Sequence, residues 1–461
     1  MTDIQLLQDV LNRVLSRGGE YADVFAESRR HTSLVMEDGR LEKIVSGTEA
    51  GAGIRLIFRG RTSYACSNDL GREALMRSAS EACSMASDPS GAEIRRLLAR
   101  KPSVQFEILA YPDDVSIDRK IRLVREAEHI ARSYDRCIRQ VTVIYRDMLQ
   151  EVRTAGSEGH ITEDERVYTL LVMQVIAERD GVVQTGYETL GGFSGFELLD
   201  PGMVYGLAEK ASRRAVEMLG ARKAPAGRMP VVISSQAGGT MIHEAIGHGL
   251  EADLARQGLS VFSGKVGEQV ASELVTVIDD ATLAGRRGSF RFDDEGTPSQ
   301  QTVLVERGIL KGFLYDRLTA MRDNVSSTGN GRRESYGCRP IPRMTNTFIT
   351  PGAIDPAEIV RSLDRGLLVE KMGGGQVNTV TGDFVFDVQE GYIIRNGLKS
   401  ELVRGATLTG NGPLVLRQID MVGTDLGFSI GTCGKDSQGV PVTDAIPTVR
   451  IPELVVGGAY N

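Results

Sequence analysis

Residues 238–253 read GGTMIHEAIGHGLEAD, and we expect the second half of the chain to fold around this stretch. It places His243, Glu244 and His248 within six positions, in a chain of 461 residues that has five histidines. A histidine–glutamate pair followed by a second histidine is typical of zinc hydrolases, in which the imidazoles bind the metal and the carboxylate handles the water proton. The usual form is H-E-x-x-H, whereas His243 and His248 stand five positions apart.

This extra residue has a geometric consequence. On a regular helix, at about 100° per residue, positions four apart lie about 40° apart and can share a metal, whereas positions five apart lie about 140° apart. A π-bulge adds about one residue to a turn and would bring His243 and His248 together, and Gly247 tolerates such a distortion. A helix that ends at residues 247–249 is the other solution. The spacing therefore predicts a metal site on an irregular helix.

A catalytic zinc site usually has three protein ligands and one open position, so a third ligand must come from elsewhere in the chain. Cys433 is the best candidate, because the nearby glycines in GTCGK, residues 431–435, allow tight turning of the backbone. Lys435 would favour the thiolate that metal binding requires. The alternative role for Cys433 is that of a small buried hydrophobic residue, as for most free cysteines.

Glu244 is the expected general base, because it adjoins a histidine ligand in the sequence. The alternative is a helix glutamate that faces solvent. Asp253 lies one to two turns beyond His248 and is expected to accept an imidazole N–H, with an exposed helix carboxylate as the equal alternative. The two histidines could also be ordinary helix residues that happen to lie close together.

Length and composition fit a cytoplasmic protein of two domains, since single cores rarely grow beyond about 250–300 residues. A net charge of -7 without a basic block gives no electrostatic footprint for nucleic acid. The sequence contains no run of about 18 apolar residues, so we expect no membrane span. The N-terminus also lacks the basic start of a signal peptide. The five cysteines are irregularly spaced and suggest no disulfide framework, as expected in a reducing compartment.

The first half predicts an N-terminal α+β domain over residues 1–221. Helical periodicity marks residues 4–16, 71–86, 118–133 and 203–219, and strand patterns lie between them. The polar segment Arg153–Arg166 is expected to be a turn between two long strands. Residues 220–230 break all periodicity, and we place the domain boundary there.

The second half predicts a largely β C-terminal domain, residues 222–461, that carries the metal-binding helix. Strand patterns lie at residues 231–234, 271–278, 301–306, 308–315, 384–389, 391–395 and 448–456. The only other helical candidates are short, at residues 356–364 and 413–421. The expected fold class is α+β with two domains.

Two polar, glycine-rich segments of this half are candidate substrate-binding loops. The first spans residues 326–347 and includes Asn330 and Arg343; loops of that length inside a compact domain are usually functional or disordered. The second spans residues 372–378, and Gly373, Gly374 and Gly375 leave its backbone free to hydrogen-bond an extended peptide as an added strand. A plain connecting loop is the alternative for each segment.

Five segments of the second half give the chain a resemblance to a known family. They are HEAIGHGLEAD (243–253), DDEGTP (293–298), TGNGRRESY (328–336), PRMTNT (342–347) and GTCGK (431–435). In combination these segments are specific, and the chain resembles the TldD/PmbA family of zinc metallopeptidases, on its TldD side. The first half resembles that family mainly in length and layout.

The resemblance implies a zinc-dependent peptidase that hydrolyses unfolded or extended peptides. Its two ligand histidines and partner glutamate match His243, His248 and Glu244, and a distant cysteine, which matches Cys433, completes the zinc site. It also implies a homodimer, or a heterodimer with a PmbA/TldE-like paralogue that lacks the H-E-x-x-x-H motif. Activities attributed to the family include peptide-antibiotic maturation, antitoxin degradation and modulation of DNA gyrase. The alternative function is a non-catalytic regulatory or binding protein of the gyrase-modulator type, with a structural metal.

Overall fold

The computed structural model describes residues 3–86, 94 and 96–458. The α-helices of the first half are α1 (Ile4–Leu15), α2 (Arg72–Ala82), α3 (Ile117–Arg132) and α4 (Pro201–Met218). Its strands are β1 (Tyr21–Glu37), β2 (Arg40–Phe58), β3 (Arg61–Ser67), β4 (Leu98–Ala99), β5 (Ile138–Gly156), β6 (His160–Arg179) and β7 (Val182–Phe193). Single turns of 3-10 helix lie at Cys83–Met85, Pro112–Asp114 and Phe196–Leu199.

These strands form one seven-stranded sheet in the order β3-β2-β1-β5-β6-β4, with β7 beside β6. Successive side chains of a strand point to opposite faces. On β1, Val24 and Leu34 belong to the two apolar clusters in which the helices cover one face of the sheet. Asp23 and Glu27 point the other way, where they accept hydrogen bonds from the second half of the chain. One face of the sheet therefore meets the helices and the other meets the second half.

The expected turn at Arg153–Arg166 is wrong. β5 and β6 pair without interruption up to Gly156 opposite His160, so the turn is confined to residues 157–159. The polar residues belong to the strands themselves, where Arg166 binds Asp294 of the second half through a 2.7 Å ion pair. Polar side chains at this position mark a contact between the two halves, which a local pattern cannot distinguish from a solvent-exposed turn.

The second half holds five α-helices among the described residues, which are α5 (Thr240–Ile242), α6 (Ala252–Arg256), α7 (Arg317–Asp323), α8 (Pro356–Arg361) and α9 (Gly412–Gln418). Its strands are β8 (Arg222–Lys223), β9 (Gly227–Ile233), β10 (Val277–Asp280), β11 (Gln301–Glu306), β12 (Ile309–Leu310), β13 (Gly331–Arg332), β14 (Ile341–Pro342), β15 (Asn346–Ile349), β16 (Arg365–Val377), β17 (Asp383–Arg395), β18 (Leu398–Arg404), β19 (Ala406–Asn411), β20 (Met421–Val422), β21 (Gly427–Lys435), β22 (Gln438–Ile446) and β23 (Val449–Gly457). A π-helix, His243–Gly247, and 3-10 turns at Ser235–Ala237 and His248–Leu250 complete the half.

Two large sheets organise the second half. One has eight strands in the order β16-β9-β23-β19-β17-β18-β8, with β20 beside β23, and the other has six in the order β12-β11-β10-β15-β22-β21. The core contains apolar side chains from both sheets together with those of the motif segment, including Met241, Ile242 and Ile246. The helical segment with the two histidines is therefore held between the sheets by its apolar residues, as hydrophobic burial requires.

The α+β class is confirmed, since helices and strands mix in both halves. The division into domains at 1–221 and 222–461 stays a prediction. The pairing of β8, at residues 222–223, with β18 of the second half is in line with it. The strand expected at 308–315 reduces to Ile309–Leu310, and the expected loop at 372–378 is mostly the end of β16. Within the described residues, no helix is long and apolar enough to cross a bilayer.

Candidate metal centre

The π-bulge predicted from the histidine spacing is confirmed. One turn of α-helix, α5, leads into the π-helix His243–Gly247, and a 3-10 turn begins at His248. The wide turn brings the two imidazole rings to a centroid distance of 4.9 Å, nearly perpendicular to each other. Gly247 has ordinary right-handed helical backbone angles, so conformational freedom is not why glycine stands there. A Cβ at Gly247 would lie 2.1 Å from Sδ of Met344, so close packing requires the glycine.

Cys433, the third predicted ligand, lies beside the two histidines. The ligand atoms of His243, His248 and Cys433 all lie within 4.8 Å of one another, and Cys433 Sγ is 3.5 Å from His248 Nε2. The cysteine reaches this position as part of β21, paired with Val440 of β22. The expectation of a tight glycine turn at Cys433 is therefore wrong, since an extended strand presents the thiol.

These donors fit a zinc ion. A tetrahedral ion holds thiolate sulfur at about 2.3 Å and imidazole nitrogen at about 2.0 Å, which separates sulfur from nitrogen by about 3.5 Å. The distance between Cys433 Sγ and His248 Nε2 matches that edge. Imidazole and thiolate are both ligands that zinc accepts, and three protein ligands are the usual number in a catalytic zinc site. Among the residues that the structure describes, no fourth histidine, cysteine or carboxylate joins the group, so one coordination position is left open.

The protonation states of the three side chains are coupled. Burial alone would raise the pKa of the Cys433 thiol, but hydrogen bonds and charge from the two imidazoles lower it to about 5. Burial opposes an imidazolium at His243, yet the Cys433 thiolate outweighs it and raises the His243 pKa. At His248 burial is likewise outweighed, mainly by the Glu251 carboxylate and Cys433, and the pKa lies well above its usual range. Cys433 is thus a thiolate at neutral pH and ready to bind a metal.

Glu244 lies beside this group in a cleft of about 470 Å³. Its carboxylate is partly exposed to the cleft, while His243 is buried behind it. Burial raises the pKa of Glu244, and the nearby histidines only partly offset that effect. A carboxylate of raised pKa at the wall of an open cleft is suited to taking up a proton and releasing it again.

The carboxylate that orients His248 is Glu251 and not Asp253. Glu251 Oε2 lies 3.0 Å from His248 Nδ1, which leaves Nε2 directed towards Cys433. Asp253 instead accepts a hydrogen bond of 2.7 Å from Lys435. The prediction for Asp253 is therefore wrong in its partner. The 3-10 turn that begins at His248 ends at Leu250, and the extended backbone at Glu251 places its carboxylate beside the ring.

Lys435 neutralises this carboxylate pair and does not contact the Cys433 thiolate. Its ammonium lies 3.1 Å from Glu251 and 2.7 Å from Asp253. Burial opposes the charge on Lys435, but the two carboxylates raise its pKa. Burial likewise opposes the charge on Glu251, yet Lys435 and His248 lower its pKa to about 2. Glu251 is therefore an anion at neutral pH, beside the His248 ring.

Asp444 is a second supporting carboxylate, which the sequence reasoning missed. Its Oδ2 lies 3.7 Å from His243 Nδ1, and Ser429 donates a hydrogen bond to its other oxygen. Asp444 lies directly opposite Ser429 in the β21–β22 hairpin, so the pairing that presents Cys433 also presents Asp444. No local pattern marks an aspartate whose partner lies two hundred residues away in the sequence.

Asn330 and Arg343, expected as substrate contacts, are buried and support the site from within. Arg343 is completely buried, with its guanidinium on the carbonyl oxygens of Cys433 and Gln438. Asn330 donates hydrogen bonds to Asp279 and to the Arg343 carbonyl oxygen. Neither side chain lines the cleft, so we correct both roles: the segment 326–347 packs against β21 and β22 and is not an open loop.

Of the three glycines expected to bind substrate, Gly375 lines the cleft, together with Gln376 and Val377. A Cβ at Gly375 would lie 1.8 Å from the Phe386 ring, so the strand requires glycine there. Gly373 and Gly374 lie in the same irregular part of β16, where the register shifts between Met372 and Gly375, but they do not line the cleft. The opposite wall is residues 432–435 of β21.

Comparison with known proteins matches three successive parts of the chain to one family, two of them in the first half. The PmbA/TldA metallopeptidase domain 1 matches residues 22–86, the central domain of that family matches 110–219, and its C-terminal domain matches 226–458. The chain is 36% identical over 463 residues to the metalloprotease TldD homologue of Haemophilus influenzae, covering 98% of this chain and 96% of that protein. It is 30% identical over 317 residues to the zinc metalloprotease TldD homologue of Saccharolobus solfataricus, covering 68% of this chain and 70% of that protein.

Two solved structures share the fold. A Thermotoga maritima protein, described as a candidate modulator of a DNA gyrase, superposes with a TM-score of 0.81 at 23% identity, covering 99% of this chain and 100% of that one. TldE from Thermococcus kodakarensis superposes with a TM-score of 0.79 at 19% identity, covering 98% and 99%. The family match over the C-terminal half and the identity to a relative along nearly the whole chain show that this protein belongs to the TldD/PmbA metallopeptidase family.

Proposed function

We propose that this protein is a zinc-dependent peptidase that cleaves unfolded or extended peptides. The observation that carries the proposal is the convergence of His243, His248 and Cys433 on one point, with Glu244 in the adjoining cleft. The names of the relatives as metalloproteases support a metal, and one of them is named a zinc enzyme.

In this proposal His243, His248 and Cys433 hold the metal, which would supply the Lewis acid that polarises the scissile carbonyl and acidifies water. Glu244 takes the proton from the attacking water and passes it to the leaving amine. Glu251 fixes the tautomer and orientation of His248 through the 3.0 Å contact at Nδ1. The raised pKa of Glu244 serves both proton transfers, because the carboxyl must release the proton that it accepts.

The cleft suits an extended peptide, because unpaired strand edges form its walls. β21 is at the edge of its sheet. β16 pairs with β9 only up to Val369, so that side of its last residues has no strand partner among those the structure describes. Main-chain groups along such edges bind a peptide as an added strand with little demand on its sequence. Most backbone groups of a folded substrate are already hydrogen-bonded within that substrate, so an unfolded or extended peptide suits these edges better.

The non-catalytic alternative predicts a closed metal site. A structural zinc is usually held by four protein ligands, whereas three donors converge in the described part of this chain. Glu244 would have no structural role in such a closed site, because it lines the cleft and is not one of the converging ligands. Both features favour the enzyme.

Cleavage of an unstructured peptide by the zinc-loaded chain tests the proposal. We expect Glu244→Gln to keep its zinc and to lose about 10²–10⁴-fold in rate, the usual contribution of a general base. Glu273→Gln, at an exposed glutamate of the same half, should cleave as the parent does. Undiminished cleavage by Glu244→Gln would reject the base, and no cleavage by the parent, alone or with a TldE-like paralogue, would reject the peptidase.

We further propose that the chain works in the cytoplasm as a dimer, with itself or with a TldE-like paralogue. The five free cysteines suit a reducing compartment, and the TldE fold is shared along the whole chain. Light scattering on the purified chain, with and without the paralogue, should give a mass of two chains. A monomer under both conditions would contradict the dimer.

A further inference from the structure

A second cavity lies on the opposite face of β21 from Cys433. It measures about 520 Å³ and is lined by β1, β2, β5 and β6 of the first half and by second-half residues that include Arg287, Arg332 and Thr432 of β21. Because side chains alternate along a strand, Cys433 faces the metal centre while Thr432 faces this cavity. Thr432 lines both spaces, so the metal cleft and the second cavity adjoin at the edge of β21.

Among the charged side chains that line this cavity, seven arginines and lysines outnumber three carboxylates. These charged residues are Arg29, Lys43, Arg146, Arg166, Arg287, Arg332 and Arg333, with Asp147, Asp294 and Glu334. Ion pairs neutralise charge of both signs here: Arg29 pairs with Glu27 and Glu49, Arg166 with Asp164 and Asp294, Arg333 with Asp23, and Lys120 with Asp147. Four cations then stand against Glu334, and they are Lys43, Arg146, Arg287 and Arg332. Positive charge is therefore in excess.

Three of these arginines have no carboxylate within ion-pair distance among the described residues: Arg146, Arg287 and Arg332. The Arg332 guanidinium is buried and donates to the carbonyl oxygens of Met344 at 2.6 Å and Pro441 at 2.7 Å. Arg287 donates through Nε to the Gly431 carbonyl oxygen at 3.3 Å. Arg146 is exposed on β5. A cation buried without a counter-charge is costly, and a bound anion would relieve that cost.

The pKa values of Arg332 and Arg287 also indicate that these guanidinium groups lack a neutralising anion. Burial lowers the pKa of Arg332 to about 10. Burial also lowers the pKa of Arg287, and the nearby Arg146 lowers it further. At neither guanidinium group do the neighbouring side chains compensate for the loss of solvation.

We propose that this cavity is a subsite for a carboxylate of the bound peptide, with Arg287 and Arg146 as its recognition groups and the buried Arg332 in the same lining. The carboxylate is that of an aspartate or glutamate side chain, or that of the peptide C-terminus. A peptide that lies along the edge of β21 would direct alternate side chains towards the face of Thr432. Gly431, which Arg287 contacts, lies about 7 Å along the strand from Cys433, so the carboxylate belongs one or two residues from the cleaved bond.

This inference rests on the proposed peptidase function, because it places the carboxylate on the peptide substrate. Its test measures binding as well as cleavage. Fluorescently labelled peptides that differ in a single glutamate or glutamine, each with a free or an amidated C-terminus, are titrated with the full-length chain with and without zinc. Arginine–carboxylate pairs are strong, geometrically specific contacts, and we expect the carboxylate to improve affinity about tenfold or more.

Arg287→Gln and Arg146→Gln should each reduce this preference, the second with little risk to folding because Arg146 is exposed. Arg286→Gln is the matched control, since Arg286 adjoins Arg287 but stacks on the Phe428 ring at 3.5 Å and does not line the cavity. A preference in amidated peptides assigns a side-chain carboxylate, and a preference limited to free-acid peptides assigns the C-terminus.

Equal binding of all peptides by the parent chain, or no measurable binding, overturns the subsite. So does a preference that survives both Arg287→Gln and Arg146→Gln. The outcomes distinguish the two proposals. A carboxylate preference in binding without any cleavage would reject the peptidase function alone. Equal cleavage of peptides with and without the carboxylate would reject the subsite alone.

Discussion

Replacement of Glu251 by glutamine should weaken zinc binding although all three predicted zinc ligands stay unchanged. Glu251 is completely buried, and its Oε2 lies 3.0 Å from His248 Nδ1. Loss of such a partner behind a ligand histidine typically costs about 10–100-fold in metal affinity, or about 1.4–2.7 kcal/mol. Glutamine keeps the shape and one acceptor oxygen, so the loss measures the charge.

The same replacement should also lower the free energy of unfolding. Glu251 neutralises Lys435 at 3.1 Å and lies 4.0 Å from the buried Arg343 guanidinium. Removing one partner from a buried ion group costs about 3–5 kcal/mol, because the remaining charges stay buried. Asp253 still pairs with Lys435, so we expect a value near the lower end, about 3 kcal/mol.

Asp253→Asn is the matched control, because Asp253 contacts the same lysine and not the histidine. Competition with a chromophoric zinc chelator at pH 7.5 gives the affinities, and denaturant titration gives the stabilities. Glu251→Gln should lose about tenfold or more in affinity, while Asp253→Asn should stay within about threefold of the parent. Equal affinities for Glu251→Gln and the parent, or a larger loss in Asp253→Asn, would refute the assignment of Glu251.

Three further outcomes are expected. Gly247→Ala should cost about 1–3 kcal/mol of unfolding free energy, because its Cβ would meet Met344 Sδ at 2.1 Å; unchanged denaturant stability would contradict this. Zinc binding at pH 7 should release protons from His243 and His248, whose pKa values are raised, and not from Cys433, whose pKa is about 5; calorimetry in buffers of different ionisation heat measures the release, and none is the contrary result. The pKa of Glu251 is lowered from 4.5 to about 2, so its stabilisation is full above pH 4.5 and is lost as the pH falls towards 2; acid titrations of the parent and Glu251→Gln that run parallel would count against it.

The sequence was most informative where a local pattern sets a local geometry. The five-residue histidine spacing demands a widened turn, and His243–Gly247 is a π-helix. Helices α3 and α4 begin and end within two residues of their predicted limits, because a 3.6-residue apolar period marks a helix packed on one side. These features depend on residues a few positions apart.

Non-local pairing accounts for what the sequence did not reveal. Cys433 lies on a strand because β21 pairs with β22, and the same pairing places Asp444 beside His243. Arg343 carries its charge in the interior because the carbonyl oxygens of β21 and β22 accept its hydrogen bonds. Polarity alone suggested a substrate-binding loop there, since a buried arginine and an exposed one look the same in a sequence.

X-ray absorption at the zinc edge tests the central claim most directly. The zinc-loaded chain should show one sulfur neighbour at about 2.3 Å together with imidazole scattering. The sulfur should disappear in Cys433→Ser and remain in Cys338→Ser, at a cysteine outside the site. A spectrum without sulfur in the parent, or one that Cys433→Ser leaves unchanged, would contradict a metal centre built from His243, His248 and Cys433.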